Sequence, residues 1–380
     1  MKIVFVIPIM GCGGAEILIG EIAKSLALKG HEVHILCLQP HHYTWLNYPD
    51  KENLLKLVNI EVVGGGVVFG LLRPPAINNS GYVESIKRIK PDVIHSHLFL
   101  SELLSRSFLV EGVKYFTHGH DNLPQLRKVS VKTFINKQFA ANYRERAWLK
   151  KRYIQCNNSF VAISRDVENY LKDNRPESKK RVYYLPNAIN TKRFENTRDY
   201  SMVNGPFRMA SIANLVPKKN HVFLIDVLKV LKNRGFDVEI EVFGMGPLQE
   251  MLIEKTREAG LSGNLFFRGS VGDIPEKLKN AHLYVHPAWY EPFGLVLLEA
   301  MASGLPVVSL DGYGNRELLN NHENGYLLPK DCTAEEFADK IIYFIENSAE
   351  RERMGKNAVE FAKTYDIDHY TDKLLEIYNA

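Results

Sequence analysis

Short apolar runs alternate with longer amphipathic stretches along the whole chain. Ile3–Ile9 is followed by a glycine-rich loop and then by Ala15–Lys29, where apolar residues recur at helical spacing. Glu32–Leu38, Val93–His95 and Val113–His118 read as further strands, with Pro91-Asp92 as the turn that leads into the strand at Val93. Beyond residue 200 the scheme repeats. Arg208–Ile212 precedes a helix from about Val222 to Asn233, and then come Val238–Phe243, Leu265–Arg268, Leu283–His286 and Val307–Ser309. Strands alternating with helices predict βαβ units and parallel sheets buried on both faces. Two such series in succession predict an α/β protein with two doubly wound domains. A chain of 380 residues fits that division, since a single core rarely grows past ~250–300 residues. The boundary is expected within Pro186–Pro206, with domains at 1–190 and 205–365 and a last helix at 366–380.

Composition changes this picture in three places. No apolar run approaches the ~20 residues needed to span a bilayer. The segment Ile3–Met10 is too short for a signal-peptide core and has no small-residue cleavage site, so it reads as a first buried strand. Cys12, Cys37, Cys156 and Cys332 form no CxxC pair, which argues against a disulfide framework or structural zinc and suits a reducing, cytoplasmic setting. The net charge of +4 conceals an asymmetry. Residues 1–200 carry 29 Lys and Arg against 18 Asp and Glu, a net +11, while residues 201–380 carry 19 against 26, a net −7. Much of the positive charge sits in 127–152, with nine Lys and Arg against Glu145, interleaved with Phe134, Phe139, Tyr143 and Trp148. Two readings fit: a surface lying on the anionic inner face of a membrane, or a solvated basic helix with its aromatics in the core. No nucleic-acid-binding module is present, so nucleic acid is not an expected partner.

Open parallel sheets bind ligands beyond the carboxyl ends of their strands, so the chemistry should lie in the loops that follow them. Gly11-Cys12-Gly13-Gly14-Ala15-Glu16 joins the first strand to the first helix, where glycines let a backbone approach phosphate. Glu16 stands where a dinucleotide fingerprint needs glycine, and the second strand ends Cys37-Leu38-Gln39 without an acidic ribose anchor, so hydride transfer with NAD is disfavoured. His95-Ser96-His97 and His118-Gly119-His120 end two strands. A metal site, a substrate-facing wall with His118 in contact, and histidines bonded to backbone all fit that spacing. The most informative segment runs from Glu291 to Glu299. Pro292 suits a helix start, the helix from about Gly294 is apolar on every side, and Glu299 is then a lone carboxylate that needs donors. A sugar diol would supply them; a buried Arg or backbone group is the alternative partner. Glu291 lies in the loop before that helix, beside amides that attract phosphate. Asp366-Ile367-Asp368 opens the last helix and favours capping over metal binding.

Glu291 and Glu299 with seven residues between, followed by Ala300-Met301-Ala302-Ser303-Gly304-Leu305-Pro306-Val307-Val308, resemble the signature of the family-4 retaining glycosyltransferases. Gly13-Gly14-Ala15-Glu16, Asp92–His97, Thr117-His118-Gly119, Leu185-Pro186-Asn187, Pro217-Lys218-Lys219-Asn220, Phe243-Gly244-Met245-Gly246-Pro247 and Phe267-Arg268-Gly269 resemble its other motifs in order. The resemblance implies a GT-B arrangement, two Rossmann-like domains facing across a cleft, with the last helix crossing back to the first. It implies Glu299 on the ribose hydroxyls and Glu291 on the transferred sugar, with the amides from Phe293 and Gly294 to Leu295 and Val296 nearby. Lys219 and the backbone of Gly13 and Gly14 would hold the diphosphate, Gly244, Gly246, Pro247, Arg268, Gly269 and Val271 would flank the nucleotide, and His118 would lie beside the reacting sugar. Asn214 stands where the family usually has an arginine, so Lys219 or Arg268 is left to supply the missing positive charge. Ala188 and Asn190 likewise replace the family's usual Gly and Asp.

The activity this implies is retaining transfer of a sugar from a nucleotide donor, with a UDP-sugar favoured over GDP-mannose, and with no cofactor or metal. The acceptor would be a glycan or lipid-linked molecule in cell-surface polysaccharide or glycoconjugate synthesis. A nucleotide-sugar epimerase of similar architecture and a non-catalytic nucleotide-sugar binder are the alternatives.

Overall fold

The computed structural model describes residues 1–41, 45, 48–69, 74–122, 137–195, 200 and 205–380. Two compact units are present, Met1–Asn187 with Tyr370–Ala380, and Ala188–His369. The first division falls three residues before the expected position 190, and the second falls inside the last helix, Ile367–Asn379, rather than ahead of it.

In the first unit, β1 (Lys2–Ile7), β2 (Glu32–Cys37) and β3 (Asn59–Val62) precede a hairpin of β4 (Gly66–Val68) and β5 (Ala76–Asn78). β6 (Val93–His97), β7 (Lys114–Gly119), β8 (Ser159–Ala162) and β9 (Val182–Tyr184) follow. The main sheet is parallel with the order β3-β2-β1-β6-β7-β8-β9. Five of the six residues of β1 are buried, as a strand covered on both faces requires. The helix Gly14–Leu28 turns Leu18, Ile19, Ile22, Ala23 and Leu26 inward at helical spacing. Each of the Leu and Ile side chains among them contributes ~1.5–3 kcal/mol on burial. The end of the last helix belongs to this unit: the Tyr378 hydroxyl meets His95 Nδ1 at 2.7 Å, Lys114 Nζ donates to the Tyr378 carbonyl, and Thr371 bonds Ser25.

The second unit contains β10 (Phe207–Ile212), β11 (Val238–Phe243), β12 (Leu265–Gly269), β13 (Leu283–His286), β14 (Val307–Leu310) and β15 (Gly325–Leu328). They form a parallel sheet in the order β12-β11-β10-β13-β14-β15. The helix Val222–Asn233 packs Leu224, Ile225, Val227, Leu228 and Leu231 into its core. Thr333 and Glu336 form a reciprocal capping box at the start of the helix Ala334–Glu346, which satisfies the N–H groups of Thr333 and Glu336.

Each sheet reverses its winding once. In the first the reversal lies between β1 and β6, and in the second between β10 and β13. Connections there leave the sheet in opposite directions, which opens a crevice beyond the carboxyl ends of the two strands.

Candidate functional site

At the reversal point of the second sheet, the strand ends carry a charged cluster. After β10 the chain runs to a single 3-10 turn, Pro217–Lys219, closed by Asn220 in the left-handed region (φ 54°). After β13 it runs through His286 to Glu291. Lys219 Nζ donates to Glu291 Oε2 at 2.5 Å, and His286 Nε2 lies 3.0 Å from the same oxygen. Glu291 is 7% exposed and His286 is fully buried. Burial alone would raise the Glu291 carboxyl, but Lys219 and His286 outweigh it and hold it at about 2. Burial and, more weakly, Lys219 lower the His286 imidazole against the pull of Glu291, so a neutral ring donates to an ionised carboxylate. His221, two residues after Lys219, is also buried, and burial pushes its imidazole down to about 4. Neither of its nitrogens has a hydrogen-bond partner among the described residues.

The backbone of Glu291 is clamped by the loop after β14. Glu291 N–H donates to the Gly312 carbonyl at 2.8 Å, and Gly314 N–H donates to the Glu291 carbonyl at 3.0 Å. Any side chain at Gly314 would sit 1.9 Å from the Pro292 carbonyl oxygen, so only glycine lets these two segments meet. Asn315 holds the loop through Gly312 N–H, Ser309 Oγ and the Leu310 carbonyl. Between the two glycines, Tyr313 adopts φ 80° and ψ −72°, a strained conformation for a residue with a side chain.

The helix that carries Glu299 is Leu295–Ala302, with Gly294 at φ 103° as its cap. Phe293 is buried and so offers the site only its backbone, while Leu295 and Val296 are half-buried in the first turn. Glu299 is half-buried rather than enclosed. Burial raises its carboxyl to about 7, tempered by Arg193, yet no described residue forms a hydrogen bond or ion pair with it. Of the alternative partners, neither a buried Arg nor a backbone group bonds this carboxylate among the described residues; the half-buried Arg193 acts on it only through its charge.

The glycine loops have a packing reason independent of any ligand. A Cβ on Gly244 (φ 139°) would lie 2.0 Å from the Ala213 carbonyl oxygen, and one on Gly246 would lie 2.4 Å from that of Leu215. Their loop is laced to the segment after β10 by Ala213 N–H to the Phe243 carbonyl and Leu215 N–H to the Met245 carbonyl. Gly269, at φ 71°, accepts from Gly244 N–H at 2.8 Å. Asn214 and Pro247 are exposed beside these loops, and Val271 is half-buried. Arg268 is a poor substitute for the cation missing at Asn214. Its guanidinium pairs with Glu241 on the adjacent strand at 2.7 Å and stacks over Phe266.

Among the described residues, the first unit's reversal point carries no charge pair in hydrogen-bonding contact; its buried ion pair is Arg106 with Glu102, at 3.7 Å. Gly13 caps the helix Gly14–Leu28 without a side-chain bond, and a Cβ there would meet the Glu16 carboxylate at 2.2 Å. Gly14 is exposed. Beside β1, the four histidines of β6 and the end of β7 share one face and stack. His118 lies over His97 at 4.6 Å and 22°, over His120 at 4.4 Å and 21°, and over His95 at 5.2 Å and 25°. They bond other side chains, not backbone as the bland reading of the pairs expects: His95 with Tyr378, His97 Nδ1 with His120 Nε2 at 2.8 Å, and His118 Nε2 with Asn187 Oδ1 at 3.3 Å. Burial, then the neighbouring rings, pushes His95 and His97 well below their ordinary range. Burial brings His118 to about 4, against the pull of Asn187. One ring nitrogen each from His95, His97 and His118 lies within 4.8 Å of the others. That spacing would let the three hold a metal ion together; kept neutral by burial, the rings also form a polar wall in which His118 Nδ1 has no hydrogen-bond partner among the described residues. Behind it, the buried Arg106 bonds Ser96, the Phe116 carbonyl and Asn158, and Glu102 accepts from Thr117 and Tyr153.

Two other sequence expectations can be placed. Asp366 accepts from Asp368 N–H and from Thr191, so it caps the last helix and ties the chain at Thr191. Residues 127–136 of the basic segment lie outside the described residues. In the helix Lys137–Gln155, Leu149 and Tyr153 are buried, Trp148 packs on Phe69 and Arg152, and Tyr143 and Ile154 are exposed. No helix among the described residues is long and apolar enough to cross a membrane.

Reasoning from the sequence missed His286, His221, Gly312, Gly314 and Asn315. Gly312-Tyr313-Gly314, separated by two residues from the predicted strand Val307–Ser309, was the available signal for the clamp.

Comparison with known proteins agrees with this layout. Residues 12–193 match the family model described as Glycosyltransferase Family 4, and residues 192–361 match that of Glycosyl transferases group 1. The putative glycosyltransferase EpsF of Bacillus subtilis is 27% identical over 407 residues, covering 100% of this chain and 96% of that protein. The poly(ribitol-phosphate) α-N-acetylglucosaminyltransferase of Staphylococcus aureus is 28% identical over 171 residues, 44% of this chain and 34% of that longer protein. Among solved structures, Anabaena HepE in complex with UDP and glucose superimposes with a TM-score of 0.78 at 21% identity, covering 100% of both chains. The two family models meet at the join between the two units and together take in both reversal points, so the chain belongs to the family-4, group 1 glycosyltransferases.

Proposed function

We propose that this protein transfers a sugar, with retention at the anomeric carbon and without a metal on the diphosphate, from a nucleotide donor to a glycan or lipid-linked acceptor. The observation that carries the reading is the placement of Lys219 and Glu291 on the two strand ends that flank the reversal of the second sheet, with Glu299, on the helix that follows, without a hydrogen-bond or ion-pair partner among the described residues. Ribose hydroxyls would supply the donors that Glu299 lacks. Lys219 would receive the diphosphate, aided by the first-turn amides of the helix Leu295–Ala302. As the bond from C1 to the diphosphate oxygen breaks, negative charge grows on that oxygen, and Lys219 stabilises it in a site that needs no reorganisation. The acceptor hydroxyl attacks C1 from the side the diphosphate leaves, and its proton passes to a phosphate oxygen. His118, held neutral with one nitrogen on Asn187, has Nδ1 available to accept from a hydroxyl of the reacting sugar.

A UDP-sugar is favoured over GDP-mannose. The Anabaena structure holds UDP and glucose, and the Staphylococcus relative is named for transfer of N-acetylglucosamine to poly(ribitol-phosphate). These support a cell-surface glycan or polyol-phosphate acceptor here. The exposed Tyr143 and Ile154 beside Lys150 and Lys151 support attachment of the helix Lys137–Gln155 to the anionic inner face of a membrane, and thus a cytoplasmic location. Asn214 is the one residue that favours a non-catalytic binder. Incubation with a panel of UDP- and GDP-sugars and a glycan acceptor, with and without EDTA, tests the reading. Acceptor-dependent nucleotide release that survives EDTA, with an anomer unchanged from the donor by NMR, is expected. Conversion of free donor without acceptor would point to an epimerase. Vesicle flotation with acidic lipids should be lost on charge reversal of Lys150, Lys151 and Arg152.

A further inference from the structure

Glu291 has two partners on one oxygen, and only one of them is needed elsewhere. Lys219 at 2.5 Å and His286 at 3.0 Å both meet Oε2. If Lys219 is the diphosphate ligand, as proposed above, an arriving diphosphate competes with Glu291 for the same ammonium. The internal pair is then a stand-in for the ligand, and binding must draw Lys219 away. A carboxylate only 7% exposed and served by Lys219 alone would lose it only at a desolvation cost. His286 removes that difficulty. It is fully buried at the end of β13, where Tyr284 two residues back is fixed by its hydroxyl on the Ile212 backbone, so its ring is not free to follow Lys219.

We infer that His286 is a positioning residue that keeps Glu291 hydrogen-bonded through Nε2 when the diphosphate takes Lys219, and so sets how readily Lys219 is released to the donor. Its Nδ1 has no partner among the described residues, which leaves Nε2 as the nitrogen that carries the proton toward Glu291. The ring acts only through Glu291 and touches no substrate. Glu291 Oε1, and the lone pair on Oε2 that Lys219 vacates, are then ready for sugar hydroxyls.

The test uses UDP and GDP as probes, the tighter-binding of the two being followed by calorimetry, so that no sugar contact of Glu291 enters the readout. His286→Asn withdraws the Nε2 donor, whereas His286→Gln places an amide nitrogen near the same position. His286→Asn should weaken nucleoside-diphosphate binding about ten-fold, the size of one hydrogen bond to a charged group. His286→Gln should restore it to within about two-fold. In a Glu291→Gln background, where Lys219 is no longer held by a charge, His286→Asn should change affinity by less than about two-fold. Thermal melting of each variant reports folding separately. A defect of equal size in both backgrounds, or no defect at all while Lys219→Ala loses binding, overturns the inference and leaves the diphosphate role of Lys219 standing. Unchanged binding in Lys219→Ala overturns that role and the inference with it.

Discussion

At the reversal point of the second sheet, between β10 and β13, a lysine, an ionised glutamate and a buried histidine meet within hydrogen-bonding distance. At the corresponding place in the first sheet, beside β6, four histidines stack with every ring held neutral by burial. The topology is the same and the chemistry is opposite. A charged edge suits a ligand that brings or develops charge, such as a diphosphate. A neutral wall of acceptors suits hydroxyl groups and would repel nothing. The division of labour follows from what each edge can hold without a ligand: in the second unit Glu291 is satisfied internally and must be released, whereas His118 Nδ1 in the first unit has no hydrogen-bond partner among the described residues.

The strongest test of this contrast is Lys219→Ala. If the charged edge stabilises the leaving diphosphate, kcat should fall by about 10²–10³, the loss typical of removing one preorganised donor. His118→Ala should fall by less, about ten-fold, because a neutral contact to a hydroxyl carries less than a cation on a forming charge. Steady-state kinetics with one donor and one acceptor decides; equal losses would erase the distinction between the edges.

Acid should then separate the two units. A histidine whose folded value lies below its unfolded value near 6.5 makes the unfolded chain bind the proton first. Stability contributed by keeping it neutral is therefore complete above about pH 6.5 and lost as pH falls toward the folded value, at about 1.4 kcal/mol per pH unit for each imidazole. With His118 at about 4 and His95, His97 and His120 also lowered, the first unit should weaken steeply between pH 6.5 and 4. In the second unit Glu291, at about 2, stays ionised through that range, and fewer imidazoles are lowered, His221 to about 4 and His286, so the same loss is smaller there. Hydrogen exchange at pH 7 and pH 5 should show protection lost first in β6 and β7; simultaneous loss in β10 and β13 would contradict the contrast.

Glu299 gives a smaller effect with a distinct signature. Its carboxyl lies at about 7 because burial disfavours the charge. Ribose hydroxyls favour the ionised form, so donor binding should lower that value and release a fraction of a proton near pH 7, with affinity rising as pH increases through it. Calorimetry in buffers of different ionisation enthalpy measures the release. Glu299→Gln should abolish it and weaken UDP binding about ten-fold or more. A variant with unchanged affinity and release would place the ribose elsewhere.

Much of this was legible because open parallel sheets put function after strands, and strands buried on both faces announce themselves as apolar runs. Arg208–Ile212 and Leu283–His286 could be read directly, and with them the loops that carry Lys219 and Glu291. Short or mixed strands were missed: Asn59–Val62, Ser159–Ala162, Val182–Tyr184 and Gly325–Leu328 are three or four residues long and carry polar or glycine positions. The site's partners were invisible for another reason. His286 looks like the last residue of a strand, and Arg268 like a free cation. Only register places Arg268 beside Glu241 and only the return of the chain places His286 against Glu291. A resemblance can carry residue roles over by position, but it cannot say which neighbour already occupies a charge.

That limit sets up the mildest prediction. The family pattern has an arginine where this chain has the exposed Asn214, and Arg268 is engaged by Glu241. On the proposed reading the charged edge would meet a doubly anionic ligand with Lys219 as its principal cation among the described residues, and Lys219 is itself shared with Glu291. Asn214→Arg adds a guanidinium on an exposed loop, where screening by solvent keeps the gain to about 1 kcal/mol, or roughly three- to ten-fold in UDP affinity. The gain should shrink as salt rises, since the new charge is exposed. The same substitution should leave the acid sensitivity of the histidine wall unchanged, because Asn214 belongs to the other unit. If Asn214→Arg leaves affinity and its salt dependence as they were, the loop after β10 does not face the diphosphate, and Lys219 must reach its ligand from another side.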